Sequence, residues 1–403
     1  MKSIDIAIAG CGPAGLCAAL LLHRDGHRVT LFERFETPQP IGSGLMLQPT
    51  GLAVLGQLDL AETVIRHGAR IDRLFGTSGP RTVLDVRYTA LGSGGAFGVG
   101  IHRSSLFGAL YDAVIAAGIA IVTGRTIIGS TLDGVSRRLQ FSDGGSSAPF
   151  DLVVDTLGTR TPLAPPTGRE LPYGALWASL DWPAGAGFDG AALEQRYRKA
   201  SRMVGVLPIG TPPGGKAPQA AFFWSLRADR LDAWREGGIA AWRAEVLTLW
   251  PACAPLLDQI HDAEQLVFAR YAHRTLAEPA EAALIHLGDA WHSASPPLGQ
   301  GANMALLDAW ALAKGLREAP DLARALARTV RLRRSHVRLY QALTAIFTPV
   351  YQSDGSVLPF LRDRLVGPLS RNWPVRWIQA AMVSGLIGNP LRALGLTAGT
   401  PKD

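Results

Sequence analysis

The chain has 403 residues, of which 47% are hydrophobic and 18% are charged, so it is long enough for two fused domains that share a core. Its three cysteines, Cys11, Cys17 and Cys253, are too few and too scattered for a disulfide framework or a metal cluster, and they favour a reducing cytoplasm. We expect no signal peptide, because the first apolar stretch is short and is interrupted at Gly10. No apolar run approaches the ~18 residues of a membrane span.

The net charge of +7 is unevenly distributed along the chain. From Arg331 onward there are ten Lys or Arg and three Asp or Glu, so this tail alone carries a formal charge of +7. The first 330 residues contain 30 basic and 30 acidic residues and are balanced. A basic tail on a balanced chain argues against a general nucleic-acid-binding protein.

The first stretch of the chain has the pattern of a dinucleotide-binding turn. An apolar run at residues 4–9 leads into Gly10-x-Gly12-x-x-Gly15, and an apolar helix-like segment follows from Leu16 to Leu22. Gly10 permits a tight turn, Gly12 lets the backbone approach a pyrophosphate, and Gly15 allows the helix to pack closely on the strand. The helix N-terminus then faces the phosphate charge.

A second predicted strand, residues 28–32, ends in Glu33-Arg34. An acid about 20 residues beyond the glycines can accept hydrogen bonds from a ribose hydroxyl. Strand, turn, helix, strand and acid therefore occur in the order that a dinucleotide-binding unit requires. A glycine-rich turn without a ligand is the alternative.

A Gly/Pro-rich loop at residues 38–49 contains Gln48, and a flexible turn is predicted at residues 92–95. Loops at the carboxyl edge of a parallel sheet are common ligand sites, so Gln48 is a pocket candidate, with a plain connecting loop as the alternative. Arg103 starts a helix-like segment, where no cation is needed to offset the helix dipole. It is either solvated or in contact with a cofactor.

The stretch from Tyr173 to about Leu266 consists of aromatic-rich strand patterns and one amphipathic helical run, residues 231–249. It predicts a second domain with a mostly antiparallel sheet. Its aromatic side chains suit an apolar, planar substrate, although aromatic residues in strands also serve simply as core. By chain position, Trp224, Tyr271 and His273 are candidates for lining a pocket.

A strand pattern returns at residues 283–289 and breaks into a turn that runs to Asn303. A long apolar helix follows from Met304 to Leu316 and carries Asp308. The turn offers several free backbone N–H groups, which suit an electron-rich ring or a carbonyl oxygen. Asp289, at the strand end, can bind a chain of sugar-like hydroxyls.

Three motifs together resemble the class A FAD-dependent aromatic hydroxylases, such as the para-hydroxybenzoate, salicylate and ubiquinone-pathway hydroxylases. The motifs are Gly10-x-Gly12-x-x-Gly15 with Glu33-Arg34, Arg103 before a helix, and Gly288-Asp289-x-x-His292-x-x-x-Pro296-x-x-Gly299-Gln300-Gly301-x-Asn303. The resemblance spans about residues 1–345. It implies an α/β fold with a Rossmann-like FAD-binding domain (1–75, 98–172 and 266–345), an inserted, mostly antiparallel substrate domain (76–97 and 173–265) and a helical C-terminal tail (346–403).

The resemblance also implies roles for individual residues. The glycines near the N-terminus hold the FAD pyrophosphate, Glu33 binds the adenosine ribose, and Asp289 binds the ribityl chain. His292 is a structural member of its turn. The implied cofactor-binding residues are Gly10, Gly12, Ala14, Gly15, Glu33, Arg34, Arg103, Asp289, Pro296, Gly299, Gly301, Ala302 and Asn303. The catalytic candidates are Pro296, against the flavin ring, with Gln48 and Trp224; no metal is implied.

The chain departs from the family pattern at two positions. A buried-strand pattern at residues 150–155 contains Leu152-Val153-Val154. The family usually has Asp-Gly after this strand, with the acid implicated in FAD and NAD(P)H handling, whereas this chain has Leu157-Gly158. The nearest acid is Asp155, so either a bulge shifts the register or the acid is lost. Trp291 also replaces a residue that is usually Ala, so packing there must differ.

The implied activity is hydroxylation of an aromatic, quinone-like or polyketide-like molecule by NADH or NADPH and O₂ through a flavin C4a-hydroperoxide. Only one Gly-x-Gly-x-x-Gly, at Gly10 to Gly15, leads from a predicted strand into a predicted helix, which fits a nicotinamide that visits transiently. An FAD oxidase or dehydrogenase without oxygen transfer is the main alternative, which Leu157 supports. A flavin-dependent halogenase would typically show Trp-x-Trp-x-Ile-Pro, which is absent from the sequence, and a flavin-bound scaffold is a further alternative.

The C-terminal tail combines arginines with Phe360, Trp373 and Trp377, and residues 378–387 are nearly all apolar. One interpretation is a helical cap packed on the FAD-binding domain or on a second copy in a homodimer. The other is a basic, Trp-containing segment that rests on an anionic membrane, which would make a cytoplasmic protein peripheral to that membrane.

Overall fold

The computed structural model describes residues 2–39, 42–92, 95–370 and 372–397. Pro40 and Ile41 of the predicted loop and Ser93 and Gly94 of the predicted turn lie outside the described residues. The strands are β1 Asp5–Ala9, β2 Arg28–Phe32, β3 Gly44–Leu47, β4 Ala69–Ile71, β5 Arg73–Ser78, β6 Arg81–Arg87, β7 Gly98–His102, β8 Ala120–Val122, β9 Ile127–Asp133, β10 Ser136–Phe141, β11 Leu152–Asp155, β12 Arg169–Glu170, β13 Tyr173–Asp181, β14 Ala192–Arg198, β15 Arg202–Gly210, β16 Gln219–Arg227, β17 Val267–Ala269, β18 Ala272–Thr275, β19 Ala280–Glu281, β20 Leu284–His286 and β21 His292–Ser293. The helices are α1 Pro13–Arg24, α2 Pro49–Gly56, α3 Ala61–His67, α4 Arg103–Ala116, α5 Leu231–Leu249, α6 Ala254–Leu257, α7 Gly301–Glu318, α8 Leu322–Tyr351, α9 Val357–Leu369, α10 Trp373–Val383 and α11 Pro390–Leu394.

The first sheet has six strands in the order β19-β20-β11-β1-β2-β8, and every pair except β19–β20 is parallel. Parallel strands are covered on both faces, which explains why β1 and β11 are almost continuously apolar. Helices α1 and α7 pack against each other over this sheet. The strand order places the carboxyl ends of β1, β2 and β11 at one edge, beside the start of α1.

The second sheet has seven strands in the order β17-β13-β16-β15-β14-β5-β6, and only the β14–β5 pair is parallel. Its two faces have different neighbours. One face packs on α5 and α6, and the other packs on β3 and β7 of a small three-stranded sheet. Because side chains alternate along a strand, neighbouring residues of β13, β15 and β16 contribute to opposite faces.

The predicted α/β class, with a parallel sheet, a mostly antiparallel sheet and a helical C-terminal region, is confirmed. The predicted boundary between residues 345 and 346 falls inside α8, which continues from Leu322 to Tyr351. Helices α9 and α10 follow and lie against β6, the edge strand of the second sheet. None of the helices in the described part of the chain combines the length and hydropathy that a bilayer crossing requires.

Candidate cofactor and substrate site

The glycine turn before α1 is shaped by three different glycine requirements. Gly10 has a φ of +102°, which favours glycine. A Cβ at Gly15 would lie 2.1 Å from the carbonyl oxygen of Gly10, so no side chain fits between helix and strand. A Cβ at Gly12 would meet nothing within 4 Å, and Gly12 has no side chain to cap α1. The first N–H groups of α1, including that of Ala14, therefore face open space that suits a phosphate group.

Glu33 lies at the end of β2, next to this turn. Its carboxylate accepts hydrogen bonds from the backbone N–H groups of Cys11 at 3.1 Å, Arg34 at 2.8 Å and Phe35 at 3.2 Å. A carboxylate has about four acceptor positions, so capacity remains for a ribose hydroxyl. The Arg34 side chain is exposed and stacks on the Phe35 ring at 4.5 Å.

At Gly288, the segment that leads into α7 packs closely against the glycine turn before α1. A Cβ on Gly288 would lie 3.1 Å from the Cβ of Ala305 in α7 and 3.5 Å from the Cβ of Ala14 in α1, and its φ is +56°. The next residue, Asp289, has an exposed side chain, yet protein surrounds it closely enough to raise its pKa by loss of solvation, against the opposing charges of His292 and Arg103. Asp289 therefore lies at the protein surface, within reach of the charges of His292 and Arg103.

Arg103 is the first residue of α4, whose start is capped by the His102 side chain. A Cβ on Gly42 would lie 3.0 Å from the Cδ of Arg103, so the loop before β3 passes directly over this side chain. The charge of Arg103 reaches both Asp289 and Tyr271. The exposed guanidinium therefore lies between the cofactor segment and the second sheet.

The turn before α7 is anchored to β3 by one buried amide. Pro296 is exposed at the start of a 3₁₀ turn, Gly299 adopts the left-handed conformation with a φ of +60°, and α7 begins at Gly301 without a side-chain cap. The buried Asn303 accepts from the N–H of Gln48 at 2.8 Å and donates to the carbonyl of Gly299 at 3.0 Å. The predicted residues Gly299, Gly301, Ala302 and Asn303 thus form one uncapped helix start beside Gln48.

The Gln48 side chain is fully buried at this junction. Its Oε1 accepts a hydrogen bond of 2.5 Å from the Tyr88 hydroxyl, and burial raises the pKa of Tyr88, so the phenol keeps its proton. Its Nε2 has no hydrogen-bond partner among the described residues. A Cβ on Gly299 would lie 3.8 Å from that Nε2. The hydrogen bond from Tyr88 therefore leaves the unpaired Nε2–H donor of Gln48 facing the turn at Gly299.

A flat aromatic surface lies on the same face of the second sheet. Trp177 stacks on Phe223 with ring centroids 4.5 Å apart, and its indole N–H donates to the Tyr271 hydroxyl at 3.0 Å. Phe223 lies so close to Gly205 that a Cβ there would be 2.1 Å from the ring. Burial raises the pKa of Tyr271 to about 12, so this phenol is neutral at pH 7.

The structure corrects the pocket prediction for Trp224 and leaves that for His273 a prediction. Trp224 lies on the opposite face of the sheet, where it packs with Leu176 and Trp242 under α5, because it is adjacent to Phe223 and side chains alternate. Its predicted catalytic role is therefore not supported by its position, and Phe223 faces the site instead. His273 is half-buried and lies beside Gln341 of α8.

A buried ionic cluster supports the Gly288 turn from behind. Asp308 accepts from the N–H of Gly288 at 3.0 Å, from His292 Nε2 at 2.7 Å and from Arg333 Nε at 2.7 Å. Burial alone would raise the pKa of Asp308, but the charges and hydrogen bonds of His292 and Arg333 outweigh it and hold the pKa well below its usual value. Arg333 also donates to Nδ1 of His336 at 2.9 Å.

Arg333 and His336 were not predicted as functional residues. Their spacing in the sequence could have indicated that they are buried, because they lie on the same face of α8 as Val330, Val337 and Tyr340. His292 is paired with Asp308, which agrees with the structural role that the resemblance implies for it. The sequence around Tyr88 does not indicate a functional role, because its partner Gln48 lies 40 residues away in the chain.

Asp155 does not replace the acid missing at Leu157. β11 pairs with β1 in continuous register through Asp155, without a bulge. The buried carboxylate accepts from Thr161 Oγ1 at 2.6 Å and from the Leu157 N–H at 2.9 Å, and it lies 2.6 Å from His286 Nδ1. The register-shift alternative is therefore wrong, and Leu157 packs its side chain in an apolar cluster.

The chain is similar in sequence to an FAD binding domain and to several monooxygenases. A family model described as an FAD binding domain matches residues 3–144. The 2-heptyl-3-hydroxy-4(1H)-quinolone synthase of Mycobacteroides abscessus is 27% identical over 382 residues, which cover 92% of this chain and 96% of that protein. The 3-amino-4-hydroxybenzoate 2-monooxygenase of Streptomyces cremeus is 27% identical over 340 residues, which cover 76% of this chain and 77% of that protein. The chain contains an FAD binding domain and resembles FAD-dependent aromatic monooxygenases over most of its length.

A solved structure extends the likeness to the fold of nearly the whole chain. The HpxO protein of Klebsiella pneumoniae, complexed with FAD and uric acid, has a TM-score of 0.77 at 18% identity and matches 94% of this chain and 97% of its own. The family model and the curated relatives confirm the predicted resemblance, the FAD cofactor and the oxidoreductase class. The open position at Gly12, the two helix starts without side-chain caps and the unpaired donor of Gln48 fit a bound FAD and a substrate beside it.

Proposed function

We propose that this protein uses NADH or NADPH and O₂ to hydroxylate an aromatic, quinone-like or polyketide-like small molecule. The observation that carries the proposal is the junction of the uncapped α7 start, the buried Gln48 donor and the flat surface of Trp177 and Phe223. A planar ring would stack on the aromatic surface while a polar substituent binds the donor. Pro296, which is exposed at the start of that turn, would lie against the flavin ring.

The cofactor-binding residues keep the roles implied by the sequence motifs. Gly10, Gly12, Ala14 and Gly15 would hold the FAD pyrophosphate at the start of α1, and Glu33 with Arg34 would bind the adenosine end. Arg103 and Asp289 would contact the middle of the cofactor. The turn formed by Pro296, Gly299, Gly301, Ala302 and Asn303 would lie against the ring. Bound FAD would supply the oxygen activation that no side chain of the chain can provide.

Gln48 would donate a hydrogen bond to an acceptor oxygen of the substrate. Leaving a buried donor unpaired costs about 1–3 kcal/mol, so a substrate with a carbonyl or phenolate oxygen at this point recovers that free energy. Tyr88 would act as a positioning residue, because its hydroxyl fixes which end of the Gln48 amide points to the turn. The apolar neighbours of this pair, Met46 and Phe223, would keep water from the reacting ring.

The nicotinamide would be handled without the acid that the family usually places near the glycines. Asp155 is fully buried and is held by Thr161 and His286, and Leu157 occupies the usual acid position. A second Gly-x-Gly-x-x-Gly, at Gly185, Gly187 and Gly190, lies between β13 and β14 and opens no helix, so it does not form a second dinucleotide-binding unit in the described part of the chain. These features favour a nicotinamide that binds transiently beside FAD.

Oxidation of NADH and of NADPH should be measured under air, with and without a panel of aromatic acids, quinolones and polyphenols. The expected result is oxidation stimulated by one class of ring, together with a product that has gained one oxygen atom by mass spectrometry. Stoichiometric hydrogen peroxide with an unhydroxylated, oxidised product would favour the second candidate, an oxidase or dehydrogenase. Leu157 is the observation that supports that second candidate.

A further inference from the structure

The outer faces of α9 and α10 carry an unusual concentration of exposed apolar side chains. Of the fifteen large hydrophobic residues that are exposed in the described part of the chain, nine lie between residues 357 and 378. We call these nine residues the apolar patch, and each exposes between 44% and 68% of its surface. They are Val357, Leu358, Phe360, Leu361, Leu365, Leu369, Trp373, Trp377 and Ile378.

Helix α9 has the reverse of the residue distribution of an ordinary surface helix, with apolar side chains exposed and a charged side chain buried. Val357, Leu361 and Leu365 follow one another at four-residue spacing on the exposed face, whereas the buried face carries Arg362. The Arg362 guanidinium donates to the carbonyl of Val350 at 3.0 Å and to Asp363 at 2.8 Å. The apolar face is therefore not the one that this helix packs against its own protein.

The two helices lie side by side on β6. Gly367 of α9 and Arg376 of α10 line one cavity of about 330 Å³ together with Thr82 and Asp85 of β6. Nine half-exposed side chains on neighbouring helices expose on the order of several hundred Å² of apolar surface, at or above the roughly 300–600 Å² of the largest patch on a typical monomer. A patch of this size marks an interaction surface.

Charge indicates what covers the patch. Arg364 is exposed beside Phe360, with its guanidinium 4.0 Å from the ring, and Arg376 is exposed at the edge of α10, where it lines the cavity against β6. In the described part of α9 and α10, the acid is Asp363, which is mostly buried and already paired with Arg362. A two-fold contact with a second copy would bring these arginines against each other, whereas an anionic lipid surface complements them.

We infer that α9 and α10 dock this protein on an anionic membrane surface, with the apolar patch immersed among the lipid chains and Arg364 and Arg376 at the headgroups. Tryptophan and arginine at the edge of an apolar helix face are suited to that boundary. The basic charge of the tail as a whole is a weaker argument, because Arg333 is fully buried against Asp308. The inference does not depend on the identity of the substrate.

The same helix joins the membrane surface to the site. Ala380 and Val383, on the inner face of α10, pack in the cluster that contains Met46, Tyr88 and Phe223. The patch is therefore separated from the proposed substrate site by about one helix diameter, on the order of 10 Å. Removal of the whole tail would open that cluster, so point variants of the outer face are the suitable test.

The full-length holoenzyme should be floated with vesicles of phosphatidylcholine alone and of phosphatidylcholine mixed with phosphatidylglycerol. We expect flotation with the anionic vesicles that weakens at high salt. Arg364→Gln with Arg376→Gln should reduce partitioning about five-fold for each arginine. Trp373→Ser with Trp377→Ser should reduce it at least ten-fold on the same vesicles.

The matched control is Ile128→Ser with Val135→Ser, which removes two side chains that are 54% and 89% exposed on the β9–β10 hairpin. This control should float like the wild type, and FAD content and the melting temperature should be unchanged in all variants. Equal flotation of patch and control variants, or no flotation of the wild type, would overturn the inference. So would a dimer, seen by sedimentation, that the patch variants disrupt while vesicle binding persists.

Discussion

Two buried polar clusters lie on either side of the α7 start, and they differ in how completely their hydrogen bonds are satisfied. In the Asp308 cluster, both carboxylate oxygens accept hydrogen bonds, and all three guanidinium nitrogens of Arg333 have partners. In the Gln48 cluster, Tyr88 pairs with one end of the amide and the other end has no partner among the described residues. Both clusters are shielded from solvent, so the difference is not one of burial.

The difference separates a structural role from a binding role. A saturated buried network has nothing left to offer a ligand, and its value lies in holding the Gly288 turn against α7. An unsaturated donor at the same depth carries a free-energy cost that a ligand can remove. Perturbing the Asp308 cluster should therefore change stability, whereas perturbing the Gln48 cluster should change substrate affinity.

Asp308→Asn should have the largest effect on stability. The substitution leaves the fully buried Arg333 without a counter-charge, and breaking a buried ion pair costs about 3–5 kcal/mol. The free energy of unfolding should be measured by urea denaturation at neutral pH with saturating FAD. The control is Glu318→Gln, which breaks a partly exposed pair with Lys314 and should cost at most about 1 kcal/mol. A loss below that of the control would refute the structural role.

Gln48→Met should have the next largest effect, on substrate affinity. Methionine keeps the volume of the side chain and removes the donor, so the dissociation constant of the activating aromatic should rise about 5- to 150-fold, equivalent to about 1–3 kcal/mol. Perturbation of the flavin absorbance by substrate provides the measurement. The free energy of unfolding should also be measured for the double variant Gln48→Met with Tyr88→Phe, because this variant leaves no Tyr88 hydroxyl unpaired. Unchanged affinity would mean that the donor faces no substrate.

Features encoded by neighbouring residues could be predicted from the sequence, whereas contacts between distant residues could not. The fold class, the family and the FAD cofactor were predicted because glycine turns and the residues after them are encoded by local spacing, as in Gly10 to Gly15. Asp308 was seen on its helix, but its partner Arg333 lies 25 residues away. Trp224 was placed in the pocket wrongly, because strand alternation shows that Phe223 and Trp224 face opposite sides without showing which side is the site. The individual site roles and the domain boundaries stay predictions.

His336 offers a pH test of the saturated cluster. Burial and the charge of Arg333 lower the pKa of His336 to about 3, and its Nδ1 accepts from Arg333 while its Nε2 donates to the Gly385 carbonyl. Between pH 6.5 and pH 3 the unfolded chain binds a proton that the folded chain refuses, so stability falls as pH falls. His336→Gln should flatten this dependence by up to about 1.4 kcal/mol per pH unit, measured as the difference from the wild type in urea unfolding. Parallel stability curves for the two proteins over this range would show that His336 is not held neutral.

Tyr88→Phe should have the smallest effect, and it tests whether the open donor is oriented or merely present. The variant keeps the ring and Gln48 but removes the hydroxyl that fixes the amide, which costs about 0.5–1.5 kcal/mol for a neutral hydrogen bond and raises the substrate dissociation constant about 2- to 12-fold. If Tyr88 acts only through Gln48, the substitution should have no further effect on affinity in the Gln48→Met background. Equal losses in both backgrounds would mean that Tyr88 contacts the substrate itself, and the unpaired amide would then need another explanation.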